Sequence, residues 1–179
     1  MARLLRHLVP PEAELAAGPH EVSGAHLLSW RRDAEAAWRR SDPLRVAPTG
    51  APDGDGVWTR DLVSWQPLHP GRLRDHIEEL GAGAVRGRGR FRLPGRPDTL
   101  AGWDGAGGRL SIGSLSDWGD AERSTRLVLT GLEEAKADRV VRIFEQILLT
   151  DAELARGRGW WTARDDGFDP WLGERSAAA

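Results

Sequence analysis

The stretch VWTRDLVSWQPLHPGRLRDHIEELG, residues 57–81, changes its hydrophobic period halfway along. Through residue 68 apolar and polar residues alternate, as in a strand with one face on a core. His69-Pro70-Gly71 then opens a helix, with Pro in the first turn, where a missing N–H costs nothing. Leu73, Ile77 and Leu80 fall on one face of that helix, and Gly81 ends it. Downstream, residues 84–93, 100–103, 109–115 (RLSIGSL) and 126–130 (RLVLT) read as further strands. The glycine-rich run GWDGAGG, residues 102–108, reads as a turn between two of them. Residues 138–149 read as a helix carrying the apolar stripe Val140, Val141, Phe144, Ile147 and Leu148. Thr150 and Glu153 have the spacing of a capping box opening one more short helix. Short strands joined by tight turns, with two separated helices, predict an α+β fold. Its form is a two-layer, mostly antiparallel sheet of four to five strands with two helices on one face.

Upstream, DPLRVAPTGAPDGDG (42–56) is dense in Pro, Gly and Asp with little to bury, and is expected to be a linker. Residues 1–41 hold a candidate strand at Glu14-Leu15-Ala16. They also hold a helix capped by Ser23 and continuing through 32–39. So short a piece makes a poor independent domain and is expected to pack on something else. The organisation read is therefore an N-terminal segment 1–41, a linker 42–56, a domain 57–173 and a frayed tail 174–179. GWWTARDDGFDPWL (159–172) reads as aromatic but irregular.

Composition narrows the chemistry. The chain has 179 residues, 25 Lys+Arg against 27 Asp+Glu, a net charge of −2 and no cysteine. Disulfides, thiolate zinc sites and cysteine nucleophiles are excluded together. No apolar run approaches the roughly 20 residues that span a bilayer. The N-terminal apolar stretch is too short for a signal peptide, which gives a cytoplasmic reading without membrane contact. Every basic residue but Lys136 is Arg, and nine Trp stand beside no Tyr. The Ala, Gly, Arg and Pro bias is what high-GC codon usage produces.

No G-x-x-x-x-G-K-[ST] phosphate loop is present, and Lys136 lies outside any glycine-rich turn. The histidines, at 7, 20, 26, 69 and 76, include no i, i+4 pair. His69 and His76 flank one helix with Asp75 and Glu79 nearby, an arrangement read as capping or solvated histidine ahead of a metal site. The serines at 64, 111, 114 and 116 lack a nucleophile-elbow context. No catalytic, cofactor or metal residue is assigned, and the chain is read as a non-enzyme. One pattern stands out. Arg86, Arg88, Arg90 and Arg92 recur every second residue, so a strand would turn them to one face and Val85, Phe91 and Leu93 to the other. Arg96 follows, and no acid falls between 86 and 97. Such a stripe is either an anion-binding surface, for nucleic acid or an acidic protein, or a face neutralised by acids on neighbouring strands.

Taken in order, these segments resemble the C-terminal domain of the CobW family of metallochaperone-type GTPases. WQPLHPGRL (65–73) resembles an aromatic or apolar residue followed by His-Pro-x-Arg-Leu, with Arg72 as the arginine. AVRGRGRF (84–91) resembles the Arg-x-Lys-Gly-aromatic strand, with Arg88 in place of Lys. WGDAERSTRLVLTGL (118–132) is similar to Gly-Asp-Arg…Leu-Val-x-x-Gly, ILLTDAEL (147–154) to Leu-Leu-Thr-Asp-x-Glu, and DGFDPW (166–171) to Asp-x-Phe-x-x-Trp. The first forty residues resemble the end of the family's GTPase domain. The phosphate loop, the Cys-x-Cys-Cys metal site and the Asn-Lys-x-Asp guanine motif are all absent, and the insertion before the Trp-Gly-Asp turn is short. The resemblance thus implies a non-catalytic, cofactor-free interaction module tied to zinc or cobalt metallochaperones. It would contact a GTPase domain in trans, or a metalloprotein client, through His69, Arg72 and His76 and through Arg86, Arg88, Arg90 and Arg92. The alternatives are a nucleic-acid-binding module on the same arginines and a degenerate fragment of a longer gene. Exposed apolar side chains on residues 1–40 would favour a missing partner, and buried ones autonomy.

Overall fold

The structure, a computed structural model, describes residues 2–10, 13–31, 33–49, 56–81 and 83–175. In chain order the elements are helices α1 (Ala2–Leu8), α2 (Gly24–Ser29) and α3 (Ala34–Ser41), strand β1 (Trp58–Ser64) and helix α4 (Pro70–Gly81). Strands β2 (Val85–Phe91), β3 (Thr99–Ala106), β4 (Arg109–Asp117) and β5 (Thr125–Gly131) follow. Helix α5 (Glu134–Ile147) and the short helices α6 (Asp151–Leu154), α7 (Arg158–Thr162) and α8 (Asp169–Leu172) complete the chain.

The five strands form one sheet in the order β1-β5-β2-β3-β4, with every pairing antiparallel. Helices α4 and α5 pack together on one face of it. Between them and the sheet lies the core, built on Trp58, Phe91, Trp103 and Leu129 from the strands and Leu73, Leu80, Val140 and Phe144 from the helices. The expected α+β sheet with two covering helices is what the chain forms. Leu73 and Leu80 are fully buried, as the helical period requires.

Several local expectations shift. GWDGAGG is mostly strand, and the turn is confined to Gly107 and Gly108, both at positive φ (59° and 81°). Gly102 belongs in β3 because Leu115 of β4 lies across it, its Cδ1 2.6 Å from where a Cβ would stand. Helix α5 starts earlier than expected, at Glu134, and ends at Ile147 because Leu148 is already extended. The continuous helix through 32–39 breaks after Ser29. Asp33 caps a new one, its carboxylate accepting from the Ala36 N–H at 2.8 Å. Ser23 caps α2 as its sequence suggests. Residues 14–16 form no strand and are exposed. The stretch 159–172, read as irregular, carries helices α7 and α8, pinned by the buried Arg96–Asp166 ion pair that its composition did not signal. Thr150 and Glu153 form the complete capping box. Within the stretch read as a linker, Val46 is buried and residues 43–45 form a 3-10 turn against the sheet's second face. Residues 50–55 and 176–179 lie outside the described residues.

Candidate functional site

β2 sits at the middle of the sheet, between β5 and β3, which fixes what its arginines do. Its odd-numbered residues face the helices, where Val85 and Phe91 are buried. Gly87 and Gly89 share that face: a Cβ at Gly87 would stand 2.9 Å from both Leu129 Cδ2 and Trp103 Nε1. The arginines therefore project from the opposite face, as the alternation requires.

That face is not open. Arg90 is only 8% exposed. It donates to the carbonyls of Pro43 (3.1 Å) and Leu44 (3.3 Å) and to Ser124 Oγ (2.8 Å). Arg92 donates to the carbonyls of Trp65 (2.6 Å) and Arg123 (2.9 Å). Arg86 donates to Asp104 (2.6 Å) on β3 and to the Gly105 carbonyl. Next to them Arg126 makes a bidentate pair with Asp61 at 2.8 and 2.7 Å. Arg88 has the weakest partner, Asp104 at 3.9 Å. Burial lowers the pKa values of Arg88, Arg90 and Arg92, and the neighbouring charges of Arg86, Arg126 and Arg123 respectively add to that. Two of the four arginines are thus committed to backbone carbonyls, a third is held by an acid on the next strand, and Arg88 is left with a long contact.

The His69–His76 helix brings no ligand set together. His69 Nδ1 accepts the Arg72 N–H at 3.2 Å, and its carbonyl accepts from the Leu73 N–H, so His69 caps α4. Its ring stands edge-on to Trp161, with centroids 5.5 Å apart. Burial first, and then the charge of Arg72, lower its pKa. Arg72 forks onto Glu153 (2.8 Å to each oxygen) and the Leu148 carbonyl (2.7 Å), tying α4 to the capping box of α6. His76 pairs with Glu79 at 2.9 Å, and Arg139 of α5 donates to the same carboxylate. His69 and His76 hold separate partners.

Two features escaped the sequence reading. Arg96 is a buried hub: it donates to Asp166 (2.9 and 3.2 Å), to Asp169 and to the Gly173 carbonyl (2.6 Å). Among the described residues, Asp165, Asp166 and Asp169 are the one acidic group with metal-like spacing. The guanidinium of Arg96 already supplies their countercharge. The second is a cavity of about 520 Å³ between the sheet's arginine face and the N-terminal residues, lined by Arg39, Arg40, Arg45, Arg86 and Arg88 among others. Its only sequence signal was the arginine alternation, because nothing local says that residues 39–49 would roof it.

Comparison with known proteins bears on the same architecture. Residues 57–148 match the family described as the cobalamin synthesis protein cobW C-terminal domain. The chain is 32% identical over 195 aligned residues to a zinc chaperone of Mycobacterium tuberculosis (strain ATCC 25618 / H37Rv). An uncharacterised protein of Mycobacterium bovis (strain ATCC BAA-935 / AF2122/97) gives the same identity. Each alignment covers 94% of this chain and 48% of the relative, so the chain spans about half the length of the curated relatives it matches. Among solved structures, the Zn(II)-bound YjiA GTPase from E. coli aligns with a TM-score of 0.48 at 12% identity, over 60% of this chain and 36% of that one. The family match begins one residue before β1 and ends one residue after α5, enclosing the whole sheet and the two helices that cover it. With more than half of its length matched in this way, the chain belongs to the CobW C-terminal domain family.

Proposed function

We propose that the chain is a non-catalytic interaction module of zinc or cobalt metallochaperone systems, working in the cytoplasm with a GTPase domain supplied by another chain. Residues 57–173 form the CobW-type domain, 42–56 connect, and 1–41 dock on the partner. The observation that carries this reading is the state of α2 and α3. Neither has a buried residue, and Leu28 is 89% and Trp38 78% exposed, with Leu27 and Trp30 more than half exposed beside them. Apolar side chains gathered on one short segment mark an interaction surface. The relatedness to a zinc chaperone supports the class of system. For a metalloprotein client we place the contact on His76 of α4 and on Arg86 and Arg88, which stay partly open to solvent. A nucleic-acid role for the stripe is weaker, because Arg90 and Arg92 already serve backbone carbonyls.

The test is capture by the tagged full chain from its native cytoplasm at low and high salt, with bound proteins and nucleic acid both identified. A P-loop GTPase retained at both salts, and lost with Leu28→Asp/Trp38→Asp, is the expected result. Absence of any GTPase, or its equal retention by the double variant, overturns the reading.

A further inference from the structure

The cavity over the sheet's second face has an unusual lining. Five arginines line it, Arg39, Arg40, Arg45, Arg86 and Arg88, and no acid does among the described lining residues. Two are well occupied or otherwise engaged. Arg86 is held by Asp104 at 2.6 Å, and Arg40 has a partner of its own. Among the described residues the ion pairs of the other three are long: Arg39 to Glu35 at 3.8 Å, Arg45 to Asp42 at 3.3 Å and Arg88 to Asp104 at 3.9 Å. Charge-assisted hydrogen bonds between such groups ordinarily close to about 2.7–2.9 Å. Three arginines from three segments therefore line one concavity without a short ion pair to any described acid. The remaining wall is mostly apolar, with Val46, Pro48 and Val128 among its residues and Thr49 and Thr130 beside them. At about 520 Å³ the space lies inside the usual range for small-molecule sites.

We propose that this cavity binds a small organic phosphate, its phosphate oxygens on Arg39, Arg45 and Arg88 and its carbon body against Val46, Pro48 and Val128. A phosphate has enough acceptor oxygens and charge for several guanidinium forks at once, where a monocarboxylate satisfies one. Arg88 gives the same direction: burial and the adjacent Arg86 disfavour its charge, and an anion beside it would offset them. A nucleic-acid strand fits less well, since Val46 and the residues around it roof this part of the sheet.

The test is calorimetric titration of the full chain with ADP, pyrophosphate, adenosine and citrate at roughly 0.15 M ionic strength. ADP is expected to bind one to one, pyrophosphate to compete with it and adenosine not to bind. Arg45→Gln/Arg88→Gln should lose at least about tenfold in affinity, the loss of one or more charge-assisted bonds. Ala47→Trp, at an exposed wall position away from the core, fills the space while keeping every charge and should lose binding too. Arg142→Gln on α5, behind the sheet, should change nothing. The proposal is overturned if no phosphate compound binds, if citrate binds as well as ADP, or if Ala47→Trp binds unchanged. It is likewise overturned if a single-stranded oligonucleotide binds more tightly than ADP with an affinity falling steeply in salt.

Discussion

At the scale of a residue, Glu153 shows how one carboxylate joins three segments. It takes both arms of the Arg72 fork and the Thr150 N–H, and closes the capping box of α6. The Arg72 hydrogen bonds foremost, and those from Thr150 after them, hold its pKa at about 2 against an ordinary 4.5, with burial pulling the other way. A shift of that size is worth at most about 3 kcal/mol, and screening by solvent on its open side reduces this to about 1–2 kcal/mol. The folded pKa is the lower one, so this stability is fully present above pH 4.5 and is lost as pH falls toward 2. Glu153→Gln should therefore unfold at lower urea at about pH 7, by about 1–2 kcal/mol, and the gap to the parent should narrow at about pH 3. A gap that stays constant would mean Glu153 acts through shape alone.

At the scale of an element, β2 carries two messages in one alternation. The arginines of VRGRGRF are the half that reads as function; the glycines are the half that makes the strand fit. With Trp103 and Leu129 filling the space over Gly87, a larger residue there overpacks the core. Gly87→Val should destabilise by about 1–3 kcal/mol in chemical denaturation. Gly113→Ala on β4 meets nothing within 4 Å and should stay within about 0.5 kcal/mol of the parent. An equal response at both sites would show that glycine in a strand, and not packing, sets the cost. The same element shows what the sequence made legible. Strand period, helix faces and caps depend on neighbours in sequence, so β1, α4, the Ser23 cap and the Thr150–Glu153 box were readable. The partners of Arg90, Arg92 and Arg96 lie 27 to 77 positions away, and no local pattern encodes them. The stripe was visible as charge, but its occupation by carbonyls and Asp104 was not.

At the scale of the whole molecule, burial is divided unequally along the chain. No described residue before Val46 is buried, while the core cluster runs from Trp58 to Leu172. The exposure of Leu27, Leu28, Trp30 and Trp38 follows from segments that no described part of the chain covers, and sequence alone could say only that such a piece needs a platform. Contact with the sheet is thin: His7 Nε2 of α1 lies 2.9 Å from Thr59 Oγ1 of β1, and the Pro43 and Leu44 carbonyls accept from Arg90. Since hydrophobic burial is the dominant favourable term in folding, residues 1–41 contribute little to global stability. Deleting them should shift the melting temperature by less than about 4 °C, the effect of roughly 1 kcal/mol in a domain of this size. The deletion should also remove the sites that a protease cuts first in the intact chain, leaving a fragment that starts near the sheet. The measurement is thermal unfolding of both forms by tryptophan fluorescence, with timed proteolysis of the full chain. A loss of ten degrees or more would show that α1 to α3 support the sheet directly. A small shift with early N-terminal cleavage would show instead that the segment adds little to the domain's own stability, which is what the proposed docking on a partner requires.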